Sequence, residues 1–169
     1  MLSVVGCQLS VSCVHLKSHL SRAFGVLRSQ PTELMNTFET LRAFQRAVDL
    51  MVDVYTATEA FPRQEQYGLT SQIRRASTSV VSNIAEGQGR LSFGEWRQML
   101  SHARGSLYEV QALVLASSRL GMLEIASAEH LKKRIRLTAS ELAGLIAWVK
   151  KREAQTKRKP GKKSQTTDN

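Results

Sequence analysis

The sequence predicts an all-α protein, an up-down-up-down four-helix bundle over residues 35–153. Three observations predict it. Apolar residues recur at three- and four-residue steps in four long segments, the period of a helix buried along one face. The breaks between those segments are short and hold the turn-forming residues. The 169 residues include only three prolines, too little turn chemistry for a sandwich or barrel, and the length suits one domain with one core.

Residues 1–34, which include both cysteines, Cys7 and Cys13, are expected to lie outside the fold, with Met35 a natural start. Their apolar stretch lacks a preceding positive region and a cleavage site, so it is a poor secretion signal. Two cysteines define no disulfide framework or zinc spacing, and a cytoplasmic setting is expected. No apolar run is long enough to span a membrane.

The first helix is expected to start at Asn36 or Thr37, with Glu39 completing a capping box on Asn36, and to run to about Thr58. Leu41, Phe44, Val48, Met51, Val52 and Tyr55 are its expected core face. Pro62 breaks the chain and Gly68 closes the loop. The second helix is expected from Thr70, as N-cap, to Gly87 or Gly89, burying Ile73, Ala76, Val80 and Ile84. Ser92 with Glu95 forms a capping box for the third, whose stripe is Trp96, Met99, Leu100, Ala103, Leu107, Val110 and Val114. It stops near Leu120-Gly121. The fourth spans about Ser127 to Glu153 on Leu131, Ile135, Thr138, Leu142, Leu145 and Val149. Residues 154–169 lack any apolar period and are expected to be a disordered basic tail.

Some apolar surface exceeds what one bundle needs. Ala43, Ala47, Leu50 and Val54 form a second stripe on the first helix, and Leu137, Gly144 and Trp148 another on the fourth. Gly105 lies opposite Trp96, where a mid-helix glycine costs about 1 kcal/mol relative to alanine unless another backbone approaches. Together these predict a homo-oligomer.

Catalysis finds little support. The four histidines are His15, His19, His102 and His130, and none stands in a nucleophile or metal pattern. Gly87-Gln88-Gly89-Arg90 ends a helix and reads as a C-cap. Glu86 and Glu109 are followed three residues later by Gly89 and Ala112, not by the histidines a di-iron bundle uses. No enzyme, metal or cofactor is expected.

The formal net charge is +10, so a polyanion partner has to be weighed. Residues 151–169 carry seven Lys/Arg against Glu153 and Asp168, half of the excess. The candidate phosphate contacts are Arg74, Arg90, Arg97, Lys132, Lys133, Arg136, Lys157, Arg158 and Lys159. No aromatic platform interleaves with them in the sequence. On the second helix Arg75, Ser79, Ser82, Asn83 and Glu86 form a polar line opposite or flanking the core. With Gly105, Glu109, Leu137 and Trp148, these are candidates for a seam between helices or between subunits.

Tyr67-Gly68-Leu69-Thr70-Ser71-Gln72, Arg74-Arg75, Ser82-Asn83-Ile84-Ala85-Glu86-Gly87 and Gly89-Arg90 resemble the four-helix-bundle proteins encoded within bacterial 23S rRNA intervening sequences. The accessory variability determinant proteins of diversity-generating retroelements are similar. Phe61-Pro62, Phe93–Leu100 and Ala103–Gln111 extend the resemblance, which covers about Phe38 to Lys150. It implies a cytoplasmic, ring-like homopentamer with a basic surface. The retroelement relatives bind nucleic acid and a reverse transcriptase, and for the intervening-sequence branch the implied ligand is RNA. Residues 1–34 and the lysine-rich tail have no counterpart in the family. The two function classes are therefore a nucleic-acid binder and a protein-interaction adaptor, for instance to a reverse transcriptase.

Overall fold

The computed structural model describes residues 37–158. Four helices follow one another: α1 (Arg42–Ala57), α2 (Leu69–Gln88), α3 (Phe93–Arg119) and α4 (Ile125–Arg158), with 3₁₀ turns at Phe38–Thr40 and Arg63–Glu65. Each helix packs on its sequence neighbours, and α4 closes the bundle against α1. Cross-helix pairs fix antiparallel register. Arg42 at the start of α1 reaches Glu141 well along α4, while Asp53 near the end of α1 meets His130 and Arg134 near the start of α4. The architecture is the four-helix bundle the periodicity predicts.

The core runs the length of the bundle through Leu50, Ile73, Ile84, Leu100, Leu131 and Leu142, all fully buried. The expected stripes of α2, α3 and α4 are largely those that are buried. Thr138 is the polar member of the α4 stripe. Its hydroxyl donates within reach of two carbonyls, Arg134 O at 3.0 Å and Arg46 O at 3.1 Å, which ties α4 to α1 without leaving a buried group unpaired.

On α1 the structure reverses the expected assignment of faces. Ala43, Ala47, Leu50 and Val54 are the core stripe. Val52 and Tyr55 are 53% and 42% exposed, and Phe44, Val48 and Met51 pack at the edge. Ala43 and Ala47 offer the physical reason: small side chains on the inner face let neighbouring helices approach closely. That stripe is therefore no argument for a partner.

The ends of the helices also differ from expectation. Leu41 is extended (ψ 122°) and separates the first 3₁₀ turn from α1, so the helix starts at Arg42. Thr37 supplies no side-chain cap, and Asn36 lies outside the described residues. Instead Thr40 Oγ1 donates back to Thr37 O at 2.9 Å and closes the turn on itself. At α2 the cap is not Thr70, which is buried, but Glu65, whose Oε2 accepts from Leu69 N at 3.0 Å. At α3 Ser92 caps as expected, with Glu95 N donating to its Oγ at 3.2 Å, but the Glu95 carboxylate accepts from the Ser92 hydroxyl at 2.7 Å where a capping box would use the Ser92 backbone N–H. Gly121, at φ 70°, ends α3 in the left-handed conformation while Met122 N donates to Ser117 O at 3.0 Å. Finally, α4 continues past Glu153 to Arg158, placing Lys157 and Arg158 on the helix; Lys159 lies outside the described residues.

Candidate nucleic-acid interface

α4 carries nine Lys/Arg against three Glu. All three glutamates are engaged: Glu129 with Lys132 at 2.7 Å, Glu141 with Arg42 at 2.6 Å, and Glu153 with Arg97 and Lys157, both at 2.8 Å. At 100° per residue, Lys133, Arg136, Lys151 and Arg158 fall on the side away from Leu131, Thr138 and Leu142, with Lys150 at its flank. All five are exposed, and none forms an ion pair among the described residues. Between the two basic groups the same face offers only small exposed side chains, Ser140, Ala143 and Ala147. Arg136 and Lys150 are about 21 Å apart along the axis. The result is a long, cation-bearing helix face that a backbone of phosphates could follow.

Arg104, Tyr108 and Gln111 of α3 stand beside this face. With Ile135, Ala139, Ser140 and Ala143 they line a groove of about 400 Å³. Gly105 is exposed, and a Cβ there would meet nothing within 4 Å; the same is true of Gly144 on α4. No contact within the protomer requires either glycine.

The other sequence candidates serve the fold to different degrees. Arg74 donates through Nε to Thr58 Oγ1 at 2.7 Å and lies over the Tyr55 ring at 4.8 Å, locking α2 to the end of α1. Arg90 pairs with Glu86 one turn back. Arg97 is held by Glu153, and these two tie the start of α3 to the end of α4. Lys132 leans on Glu129. Two hydrogen bonds, from Lys157 and Arg97, hold the Glu153 carboxyl below its ordinary pKa, and Lys132 does the same for Glu129.

The polar line of α2 divides. Arg75 pairs with Glu109 of α3 at 2.9 Å, and the Ser79 and Ser106 hydroxyls meet at 2.9 Å. Asn83 Nδ2 donates to Ser79 O at 2.7 Å. Ser82 and Glu86 are exposed. Arg75 and Glu86 thus have separate partners, and the α2–α3 part of the line lies within one protomer. Leu137 and Trp148 stay on the surface, 38% and 45% exposed.

The sequence reading missed an aromatic cluster. Phe93 and Trp96 at the start of α3 stack at 6.2 Å, and both meet Trp148 of α4 edge-on, at 6.2 and 5.7 Å. Gly87 makes room for it: a Cβ there would fall 2.7 Å from Trp96 Cδ1. Arg152 lies over Trp148 at 5.2 Å. Phe93, Arg152, Gln155, Thr156 and Arg158 then line an open cleft of about 700 Å³ at this end of the bundle. Phe93 and Trp148 are 55 positions apart, so only antiparallel pairing of α3 with α4 brings them together. Chain proximity could not have revealed it.

Among the described residues no three His, Cys, Asp or Glu side chains gather to hold a metal ion, and no helix is long and apolar enough to cross a membrane.

Comparison with known proteins follows the same lines. A crystal structure from Bacteroides thetaiotaomicron, of a protein with unknown function from the S23 ribosomal protein family, matches with a TM-score of 0.58 and 17% identity, over 62% of this chain and 95% of that one. That likeness establishes the fold. No curated protein matches the chain. Residues 39–144, well over half of the sequence, covering α1 to α3 and the first part of α4, match the family described as 23S rRNA-intervening sequence protein. The chain belongs to the 23S rRNA-intervening sequence protein family.

Proposed function

We propose that this chain is a non-enzymatic, self-associating helical-bundle protein that binds nucleic acid through the outer face of α4. The observation that carries the reading is the imbalance on that face: Lys133, Arg136, Lys150, Lys151 and Arg158 are exposed, while each glutamate of α4 is already engaged. Unneutralised cations along a helix are the electrostatic footprint of a polyanion site. Phosphate contacts of this kind give affinity without sequence readout, so structured RNA, or an RNA/DNA pair, is the ligand class. Lys132 and Lys157 add charge, and Arg74, Arg90 and Arg97 contribute less because the fold uses them.

Self-association has its own support in Gly105, Gly144 and Leu137, which face outward without an intramolecular purpose. The resemblance points to a ring of five. Sedimentation velocity at micromolar concentration tests this; a monomer throughout contradicts it.

The binding test is a salt titration with a structured RNA. About five phosphate contacts should cost roughly 500-fold in affinity between 50 and 200 mM salt. A flat dependence would favour the alternative, a protein-interaction adaptor, for example to a reverse transcriptase, in which the basic residues only aid solubility. Groove residues Leu107, Tyr108 and Ala143 are the surface that reading would use.

A further inference from the structure

We propose that the cleft at the α3-start, α4-end corner receives an unpaired nucleotide of a single-stranded polynucleotide, its base against Phe93 and its phosphate on Arg152 and Arg158. The inference rests on the nucleic-acid reading above and makes it more specific.

The chemistry of the lining selects this ligand. The cleft, about 700 Å³, is open and offers an aromatic wall, two guanidiniums, an amide and a hydroxyl, with no carboxylate among its lining residues. A duplex hides its base faces and could use only the arginines. An unpaired nucleotide uses both halves, since any base has a π-face to lay on an aromatic ring and its phosphate takes guanidinium hydrogen bonds. Glu153, the nearest carboxylate of α4 in sequence, is occupied by Arg97 and Lys157. Arg158, which lines the cleft, stands two helical turns beyond Lys151 on the same side of α4, so a strand leaving the cleft passes onto the basic face. Phe93 is backed by Trp96 and Trp148, which fixes the platform before the ligand arrives and lowers the ordering cost of binding.

The cluster also provides its own reporter. The chain has two tryptophans, Trp96 and Trp148, and both touch Phe93, so intrinsic fluorescence reads this corner. The full-length protein is titrated at low salt with a thymidine dodecamer, with an abasic dodecamer carrying the same phosphates, and with polyglutamate. The thymidine strand should quench tryptophan emission and bind about ten-fold tighter than the abasic strand, the range base stacking supplies. Phe93→Leu should remove both the quench and the ten-fold preference while keeping the abasic affinity. Arg158→Gln, a surface change that leaves the aromatic cluster in place, should weaken both strands. Equal affinity for the two strands with unchanged emission would overturn the cleft and leave the α4 reading standing. Failure of both strands to bind would overturn both. Quenching by polyglutamate equal to that by the thymidine strand would assign the cleft to an acidic peptide instead and overturn the proposal.

Discussion

Gly87 and Glu153 show how much single residues decide at the α3–α4 corner. A methyl group on Gly87 would sit 2.7 Å from Trp96 Cδ1 and 3.1 Å from Met99 Cβ. Neither neighbour is the free end of a flexible chain, so Gly87→Ala should destabilise by about 1–3 kcal/mol, the usual range for overpacking. A thermal melt checks this, and an unchanged midpoint would refute it. The sequence reading took Gly87 for a helix-end signal. Its packing role was hidden because Trp96 comes from the next helix. Glu153 makes a pH prediction. Lys157 and Arg97 hold its pKa below the ordinary 4.5 in the folded protein. Its contribution to stability is therefore fully present above about pH 5 and is lost as pH falls through the depressed folded value. Glu153→Gln should lower the melting temperature at neutral pH and leave a shallower decline on acidification than the wild-type protein shows. Parallel wild-type and variant curves from pH 6 to 3 would contradict it.

Among the elements, α2 and α3 were legible in detail and α1 was not. Ile73, Ala76, Val80 and Ile84 admit one buried face, and the opposite side is too polar to compete. On α1 two apolar stripes competed, and hydrophobic bulk pointed to the wrong one. Ala43 and Ala47 win because close helix approach rewards small side chains. The extension of α4 to Arg158 was also illegible, since residues 154–158 continue the helix exposed, without an apolar period to mark it. Polar pairs across helices, such as Arg75 with Glu109 and Arg134 with Asp53, depend on register that no local pattern states. Gly105 yields the prediction proper to this scale. It lies exposed within α3 with open space where a side chain would be. Gly105→Ala should not harm the protomer and should stabilise it by up to about 1 kcal/mol through helix propensity. Gly105→Trp should keep the helical circular dichroism and shift sedimentation toward the monomer. Unaltered assembly in the tryptophan variant would remove this glycine from any interface.

For the whole molecule, the net charge of +10 exceeded what the sequence could place. Half lies in residues 151–169, and the fold gives part of that charge a rigid support, because α4 carries Lys151, Arg152, Lys157 and Arg158 on the helix, with Lys151 and Arg158 on the basic face. Arg74, Arg90 and Arg97, attractive as isolated cations, are drawn into internal contacts. The bundle therefore sorts its basic residues into those that hold it together and those left exposed without an ion pair among the described residues. The most direct test replaces the second set alone. Binding of a structured RNA by full-length wild-type protein and by the Lys133→Gln, Arg136→Gln, Lys150→Gln, Lys151→Gln variant is measured across 50 to 200 mM salt. The account predicts that the variant, equally helical, binds more weakly and that its log-log salt slope is reduced by about 3–4, a little under one per removed contact. Equal affinity and equal slope for the two proteins would contradict it.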